Sequence, residues 1–496
     1  MKTNNCLYIG GGFASHTYPW LIPIIDGFCT EKGISTLIFN NIPLKKLEEF
    51  PSLKPILSKY KILNERELIP FWKTFTLYIF TVLNAFLLLL NFRRRDVLNK
   101  SKSWYESQIL HSILDQENLF HLGSGIPRLF ARLWGCVLSV REKHRIEYVL
   151  NNFKIDGAFL GHSVYRYRVL LAIFREKNIQ VINQAMFNCH LQKINKDIYF
   201  ASLENKKYDF IKKNIDPKEI ESYWNKRLIG EGTYDLANYA QSVKNTNIEF
   251  PKNLVFLHIF KDSPFNTIDR DRIFSDYYEW VVETLKILKE SNEKWTIKIH
   301  PSSYRWGENK NHLIKKLIKK VYKSQNSNIE LIQTELTNLD IFRNCNRLVT
   351  FSGTCHLEVA CHGVKPITIQ ETQLEEFNKN YVLKPIDLNS YRQMLLEPSN
   401  SNSFKLKSNE IEDSRFLLFV REKILTLKEN LSQTDVYRGD NISRFASETD
   451  KLKKTLPVNI ENLTNNGINL AMGFTHCFSK DYQVFAREWA KNNLTK

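Results

Sequence analysis

The sequence predicts an α/β protein with two parallel sheets, each flanked by helices on both faces, and three observations carry that prediction. Short apolar runs alternate with helix-spaced segments, and the pattern restarts in the second half of the chain. The runs end at small or polar residues, notably Gly10-Gly11-Gly12, His162-Ser163, His300-Pro301 and Ser352-Gly353-Thr354. The stretch from GAFL (157–160) to QVIN (180–183) has the size of one right-handed βαβ crossover, roughly 30 residues.

The elements follow in order. In the first half, residues 6–9 read as a strand, 20–32 as a helix and 35–39 as a second strand. Charged, helix-leaning sequence runs to about residue 150 and precedes strand 157–160, an amphipathic helix at 165–176 and strand 180–183. Lysine-rich residues 193–229 lean helical, and the polar stretch 241–247 reads as a linker. The second half opens with NLVFLHIF (253–260), a buried strand. Phe274, Tyr277, Tyr278, Val281, Leu285 and Leu288 then share one helical face. Strand 295–299, helix 313–321 and strand 329–332 come next, and strands 347–351 and 366–369 bracket a helix at 354–361. Residues past 400 are mostly helical and charged. The expected domains are 1–245, 250–400 and a helical C-terminal extension, 401–496.

Composition narrows the partners. A chain of 496 residues, 43% hydrophobic and 25% charged, can bury sizeable cores. Its net charge of +17 suits an anionic partner: a phosphorylated or acidic-sugar substrate, or anionic lipid. A lysine-rich proteome would give the same excess. No RNA-recognition signature and no Cys/His zinc spacing is present, which argues against nucleic acid and a metal site. The eight cysteines are scattered without a C-x-x-C pair, and residues 1–12 run straight into a strand and a glycine turn rather than a signal peptide. A reduced, cytoplasmic compartment is the expectation. One segment complicates it. FWKTFTLYIFTVLNAFLLLLNF (71–92), followed by Arg93-Arg94-Arg95, is near the length of a bilayer span but carries Lys73 and Asn84. Three readings stay open: a buried helix, a helix lying on an anionic membrane surface, or a span.

The strand ends supply the candidate chemistry. Ligands of open parallel sheets bind beyond the carboxyl ends of strands, and a helix N-terminus there favours phosphate. Ser352, Gly353 and Thr354 sit at such a strand-to-helix turn, with Glu358 four residues on, able to accept from ribose hydroxyls. An ordinary helix cap would use the same residue types. His300, held extended by Pro301, could hydrogen-bond a phosphate or polarise a leaving group. His258, Lys261, Asp262 and Ser263 close the first strand of the second half, and they read equally as a polar turn. In the first half Gly11, Gly12 and His16 follow the first strand, without forming G-x-G-x-x-G. His162 and Arg166 end the GAFL strand and could meet an acidic acceptor.

At IKIHPSS and FSGTCHLEVACHGVKPI the chain resembles bacterial capsule and surface-polysaccharide glycosyltransferases of the GT-B type, in the group of Kdo transferases and, more distantly, bacterial sialyltransferases. The matching positions are His300, Pro301, Ser352, Gly353, Thr354, Glu358, Gly363 and Pro366. The resemblance covers 250–370 best and touches the first half at GHSVYRYRVLLAIFREKNIQVI. It implies two Rossmann-like domains facing a central cleft, with the nucleotide-sugar donor on the second and a lipid- or glycan-linked acceptor on the first. It implies metal-independent transfer of Kdo or another acidic sugar from a CMP-linked donor, without a bound cofactor, in capsule, O-antigen or lipopolysaccharide assembly. The enzyme would work in the cytoplasm, peripheral to the inner face of the membrane. The sialyltransferase relatives carry an acidic-acidic-Gly element; here Glu231-Gly232 is the nearest counterpart, so the catalytic carboxylate stays open among Asp262, Glu231 and Asp156. Competing expectations are a non-hydrolysing sugar-nucleotide epimerase, a teichoic-acid-type polyol-phosphate transferase and a non-catalytic scaffold.

Overall fold

The computed structural model describes residues 3–10, 18–40, 53–70, 75–83, 126–161, 168–184, 191–194, 212–213, 215–228, 250–260, 273–274, 277–300, 303, 312–323, 328–332, 336–351, 353, 355–369, 380–420, 487 and 490–491. The chain divides into two compact units: Met1–Leu88 with Cys136–Ala201 and Lys423–Lys496, and Leu89–Gly135 with Ser202–Glu422.

The first unit is built on β1 (Thr3–Gly10), α1 (Tyr18–Lys32), β2 (Thr36–Phe39), β3 (Lys61–Asn64), α2 (Ile126–Asn152, which falls in this unit from Cys136 onward), β4 (Phe153–Leu160), α3 (Arg168–Glu176), β5 (Val181–Gln184) and β6 (Leu191–Ile194). Its sheet has the order β3-β2-β1-β4-β5-β6, with β6 antiparallel to β5 and the other pairs parallel. The central strands are buried on both faces, hence the continuous apolar runs LYI and AFL. The Gly161 N–H donates to the Gly10 carbonyl at 2.8 Å, joining the carboxyl ends of β1 and β4.

The second unit contains α4 (Pro217–Leu228), β7 (Asn253–Phe256), α5 (Tyr277–Leu288), β8 (Trp295–Lys298), α6 (His312–Tyr322), β9 (Ile329–Ile332), α7 (Asn338–Asn344), β10 (Arg347–Thr350), α8 (Cys355–Ala360), β11 (Ile367–Thr368), α9 (Leu388–Leu396) and α10 (Ser408–Phe419). Its sheet is wholly parallel, in the order β11-β10-β7-β8-β9. Alternate residues of β7 face two cores. Val255 joins Trp280, Leu285 and Trp295, while Leu254 and Phe256 join Ile341, Leu348 and Val359. In both sheets the strand order reverses beside the unit's first strand, between β1 and β4 and between β7 and β10. Those are the points where a doubly wound sheet opens a ligand crevice at its carboxyl edge.

Several expectations need correction. Strands β3 and β6 carry too many polar residues (KILN and LQKI) for the apolar-run criterion, because both are edges. The strand expected at 253–260 ends at Phe256, and the helix expected at 354–361 is the six-residue α8. The chain is also apportioned differently from a boundary at 245. Helix α4 belongs with the second unit, where Trp224 packs on the His362 ring at 5.1 Å and Tyr223 on Phe419 at 5.6 Å. Residues 401–420 join that unit too, whereas Arg487 returns to the first and pairs with buried Asp26 on α1. Of the apolar segment 71–92, residues 75–83 are described and form a helix; the rest lies outside the described residues.

Candidate functional site

Register assembles the site of the second unit. Phe256 of β7 pairs with Lys298 of β8 and with Thr350 of β10. Two residues beyond each of the first two come His258 and His300, and three beyond Thr350 comes Gly353. The sheet therefore delivers three of the sequence-selected positions to one carboxyl edge. The His258 and His300 rings lie 5.9 Å apart between centroids, tilted by 40°, and both residues are half-buried.

Each histidine is held by its backbone. The buried Tyr277 hydroxyl accepts from the His258 N–H at 2.6 Å and donates to the His258 carbonyl at 3.1 Å, so the first residue of α5 grips both polar groups of the loop. The His258 Nδ1 faces the Ile259 carbonyl at 3.4 Å. The Ser303 N–H donates to the His300 carbonyl at 3.0 Å, and Ser303 is buried. Lys298, the last residue of β8, is buried as well, its Nζ donating to the Leu336 carbonyl at 3.0 Å.

The Gly353 turn is more self-contained than a phosphate cradle requires. The Gly353 N–H donates to Thr350 Oγ1 at 3.3 Å, and the Gly353 carbonyl accepts from His356 Nδ1 at 2.6 Å. That fixes the His356 tautomer: Nε2 accepts from the Tyr381 hydroxyl at 3.2 Å. The six-residue α8 is also short for a strong helix dipole. Glu358 is engaged by Arg227 of α4, an ion pair that ties α8 to α4 rather than leaving the carboxylate for a ribose. Pro301, Ser352, Thr354, Lys261, Asp262 and Ser263 lie outside the described residues.

Gly11, Gly12, His16, His162 and Arg166 of the first unit, and Glu231 of the second, also lie outside the described residues. Asp156 is described, and it does not sit at a strand end. It occupies the register shift of β4 between Ile155 (opposite Cys6) and Gly157 (opposite Leu7). That is four residues short of Leu160, or about 13 Å back along the strand at ~3.3 Å per residue. Its Oδ1 lies 3.4 Å from Lys154 Nζ. These facts speak against Asp156 as a base at the carboxyl edge.

Sequence reasoning missed a polar network at that edge. Glu65 directly follows β3, and its Oε2 accepts from the Tyr8 hydroxyl at 2.8 Å; that hydroxyl accepts from Asn40 Nδ2 at 2.6 Å. Arg145 Nε of α2 approaches Glu65 Oε1 at 3.3 Å and is shared with the buried Glu142. Burial pushes the Glu65 carboxyl up to about 7, with Arg145 opposing and Glu142 adding to the rise. Gly10 fits the same network: a Cβ there would lie 2.7 Å from the Tyr8 ring and 3.1 Å from Asn40 Cβ. The glycine thus makes room for Tyr8 and Asn40. A signal existed in the N-cap pattern Asn64-Glu65, yet nothing local marks Glu65 as buried. Among the described residues no three or more His, Cys, Asp or Glu side chains gather as a metal ion would need.

No family model matches the chain, and no curated protein matches it. Among solved structures, the UDP-GlcNAc 2-epimerase of Neisseria meningitidis bound to UDP-GlcNAc is similar at 12% identity over 84% of this chain and 98% of its own, with a TM-score of 0.27. A glycosyltransferase from Rickettsia africae ESF-5 is similar at 11% identity over 90% of this chain and 98% of its own, with a TM-score of 0.28. Anabaena HepE in complex with UDP and glucose is similar at 8% identity over 90% of this chain and 100% of its own, with a TM-score of 0.29. At such values the likeness carries no functional inference, and the assignment of two Rossmann-like α/β units rests on the strand orders themselves.

Proposed function

We propose that the chain is a glycosyltransferase of surface-polysaccharide assembly that takes an acidic sugar from a CMP-linked donor to a lipid- or glycan-linked acceptor. The single observation that carries this reading is the His258–His300 pair at the carboxyl ends of β7 and β8, next to the reversal point of a wholly parallel sheet. Imidazole N–H groups at that edge suit a phosphate whose negative charge grows as the sugar departs, since fixed donors aimed at developing charge stabilise the transition state. The +17 net charge favours anionic donors and acceptors. Supported by the motif resemblance at His300-Pro301, the second unit would hold the nucleotide and the first would serve the acceptor.

A thermal-shift screen of the full chain against CMP, UDP, GDP and CDP-glycerol tests it. The expected result is selective stabilisation by CMP. His300→Ala and His258→Ala should each weaken CMP binding roughly tenfold or more, the loss of one hydrogen bond to a charged group. Stabilisation by no nucleotide, or release of an epimerised nucleotide sugar without any acceptor, would overturn the proposal.

A further inference from the structure

We propose that Lys298 belongs to the His258–His300 site and makes it selective for a doubly charged phosphate over an uncharged nucleoside. The inference rests on the sugar-nucleotide reading of that site and adds to it a residue that the sequence places inside an apolar strand. Its first observation is placement. Lys298 ends β8, and Ile299 extends the ladder, its N–H donating to the Ile332 carbonyl at 2.8 Å. Side chains therefore keep alternating through His300. Trp295, Ile297 and Ile299 enter the core shared with Trp280, so Lys298 and His300 leave the opposite face together, about 7 Å apart along the strand at ~3.3 Å per residue. The Lys298 Nζ donates to the Leu336 carbonyl at 3.0 Å. Leu336 lies in the connection from β9 to α7, which passes over the same carboxyl edge and brings the ammonium there.

The second observation is the choice of side chain. Lys298 is 3% exposed. Its register partners, Phe256 on β7 and Ile332 on β9, belong to the apolar core that Leu336, Ile341 and Phe342 complete. Burying an ammonium in such surroundings costs stability. A neutral donor holds a carbonyl equally well, as Asn344 Nδ2 holds that of Asp340 at 2.7 Å on α7. What lysine adds is a compact positive charge. The apolar flanks keep water away, and Coulomb attraction falls only with the first power of distance, so this charge reaches a phosphate at the edge without touching it. The two imidazoles supply directional donors; the ammonium supplies an attraction that grows with the charge of the ligand.

Isothermal titration of the full chain with CMP and with cytidine provides the test. The wild-type chain should bind CMP about tenfold or more tightly than cytidine. Lys298→Gln keeps a donor for the Leu336 carbonyl and removes the charge, while Lys298→Met removes both. Each should lower CMP affinity about tenfold and leave cytidine affinity unchanged, so that the preference for CMP collapses. A lysine that only holds the loop would weaken both ligands alike in the Met variant and spare the Gln variant. An unchanged CMP preference in the folded Gln variant overturns the proposal and leaves the nucleotide reading standing. A wild-type chain that binds CMP and cytidine equally does the same. Binding of neither ligand overturns that reading and the proposal with it. Should both variants fail to fold by circular dichroism, the wild-type chain decides. CMP, and not cytidine, should then slow reductive methylation of Lys298, read by peptide mass, because a nearby phosphate holds the amine protonated. Equal labelling with the two ligands overturns the proposal.

Discussion

Arg347 begins β10 and is fully buried between the Trp295 ring, 4.4 Å from its guanidinium carbon, and the Phe404 ring at 5.1 Å. It donates to Asn253 Oδ1 at 3.1 and 2.9 Å and to the Leu395 carbonyl at 3.1 Å, and it pairs with Glu293. Burial lowers the guanidinium to about 10, and Glu293 resists that fall. One side chain thereby fixes β10 beside β7 at the amino edge, which sets the register that His258 and Gly353 share at the other edge. Arg347→Leu should cost the second unit about 3 kcal/mol in urea denaturation, because it strands a carboxylate and several carbonyls together. None of this is legible in RLVTF, since Asn253 and Glu293 lie 94 and 54 residues away. His258 and His300 were legible, because each follows an apolar run directly. Tyr277 stands in the sequence only as one member of a helical face; periodicity reports the ring's burial and says nothing of the hydroxyl that grips His258.

Legibility among the elements follows burial. Strands β7, β8 and β10 are buried along their length and stand out as apolar runs. Strand β3, with an exposed Lys61, is an edge and reads as loop until its pairing with β2 is known. The attachment of the chain's far end to α1 was invisible for another reason: it depends on small residues meeting at close range. A Cβ on Gly27 would lie 2.7 Å from the Arg487 Cα and 2.8 Å from its carbonyl oxygen. Backbone atoms cannot rotate aside, so Gly27→Ala should push the segment off α1 and break the Asp26–Arg487 pair. The expected outcome is a loss of about 1–3 kcal/mol from the first unit and faster proteolytic release of a C-terminal fragment on a timed digest.

At the scale of the whole molecule, the two units carry opposite responses to pH. Glu65 holds its proton up to about 7 in the folded first unit, against an ordinary 4.5. Between those values the unfolded chain has already released the proton, so the first unit loses stability as pH rises through the window, on the order of 3 kcal/mol. In the second unit burial depresses His362 to about 4 from 6.5, with Arg343, Arg415 and Arg227 adding repulsion. The unfolded chain takes up that proton first, so the second unit loses stability as pH falls from 6.5 toward 4. Calorimetry from pH 5 to 7 should show one transition descending while the other rises, and Glu65→Gln should flatten the descending one alone. The return of Arg487 to Asp26 bears on how the protein is born. Asp26 leaves the ribosome 461 residues ahead of its guanidinium partner. Until then Lys59 Nζ at 3.1 Å and the Tyr60 hydroxyl at 2.7 Å attend it. The first unit to be synthesised is therefore the last to be sealed, and a premature stop within the second unit leaves the first unfinished too.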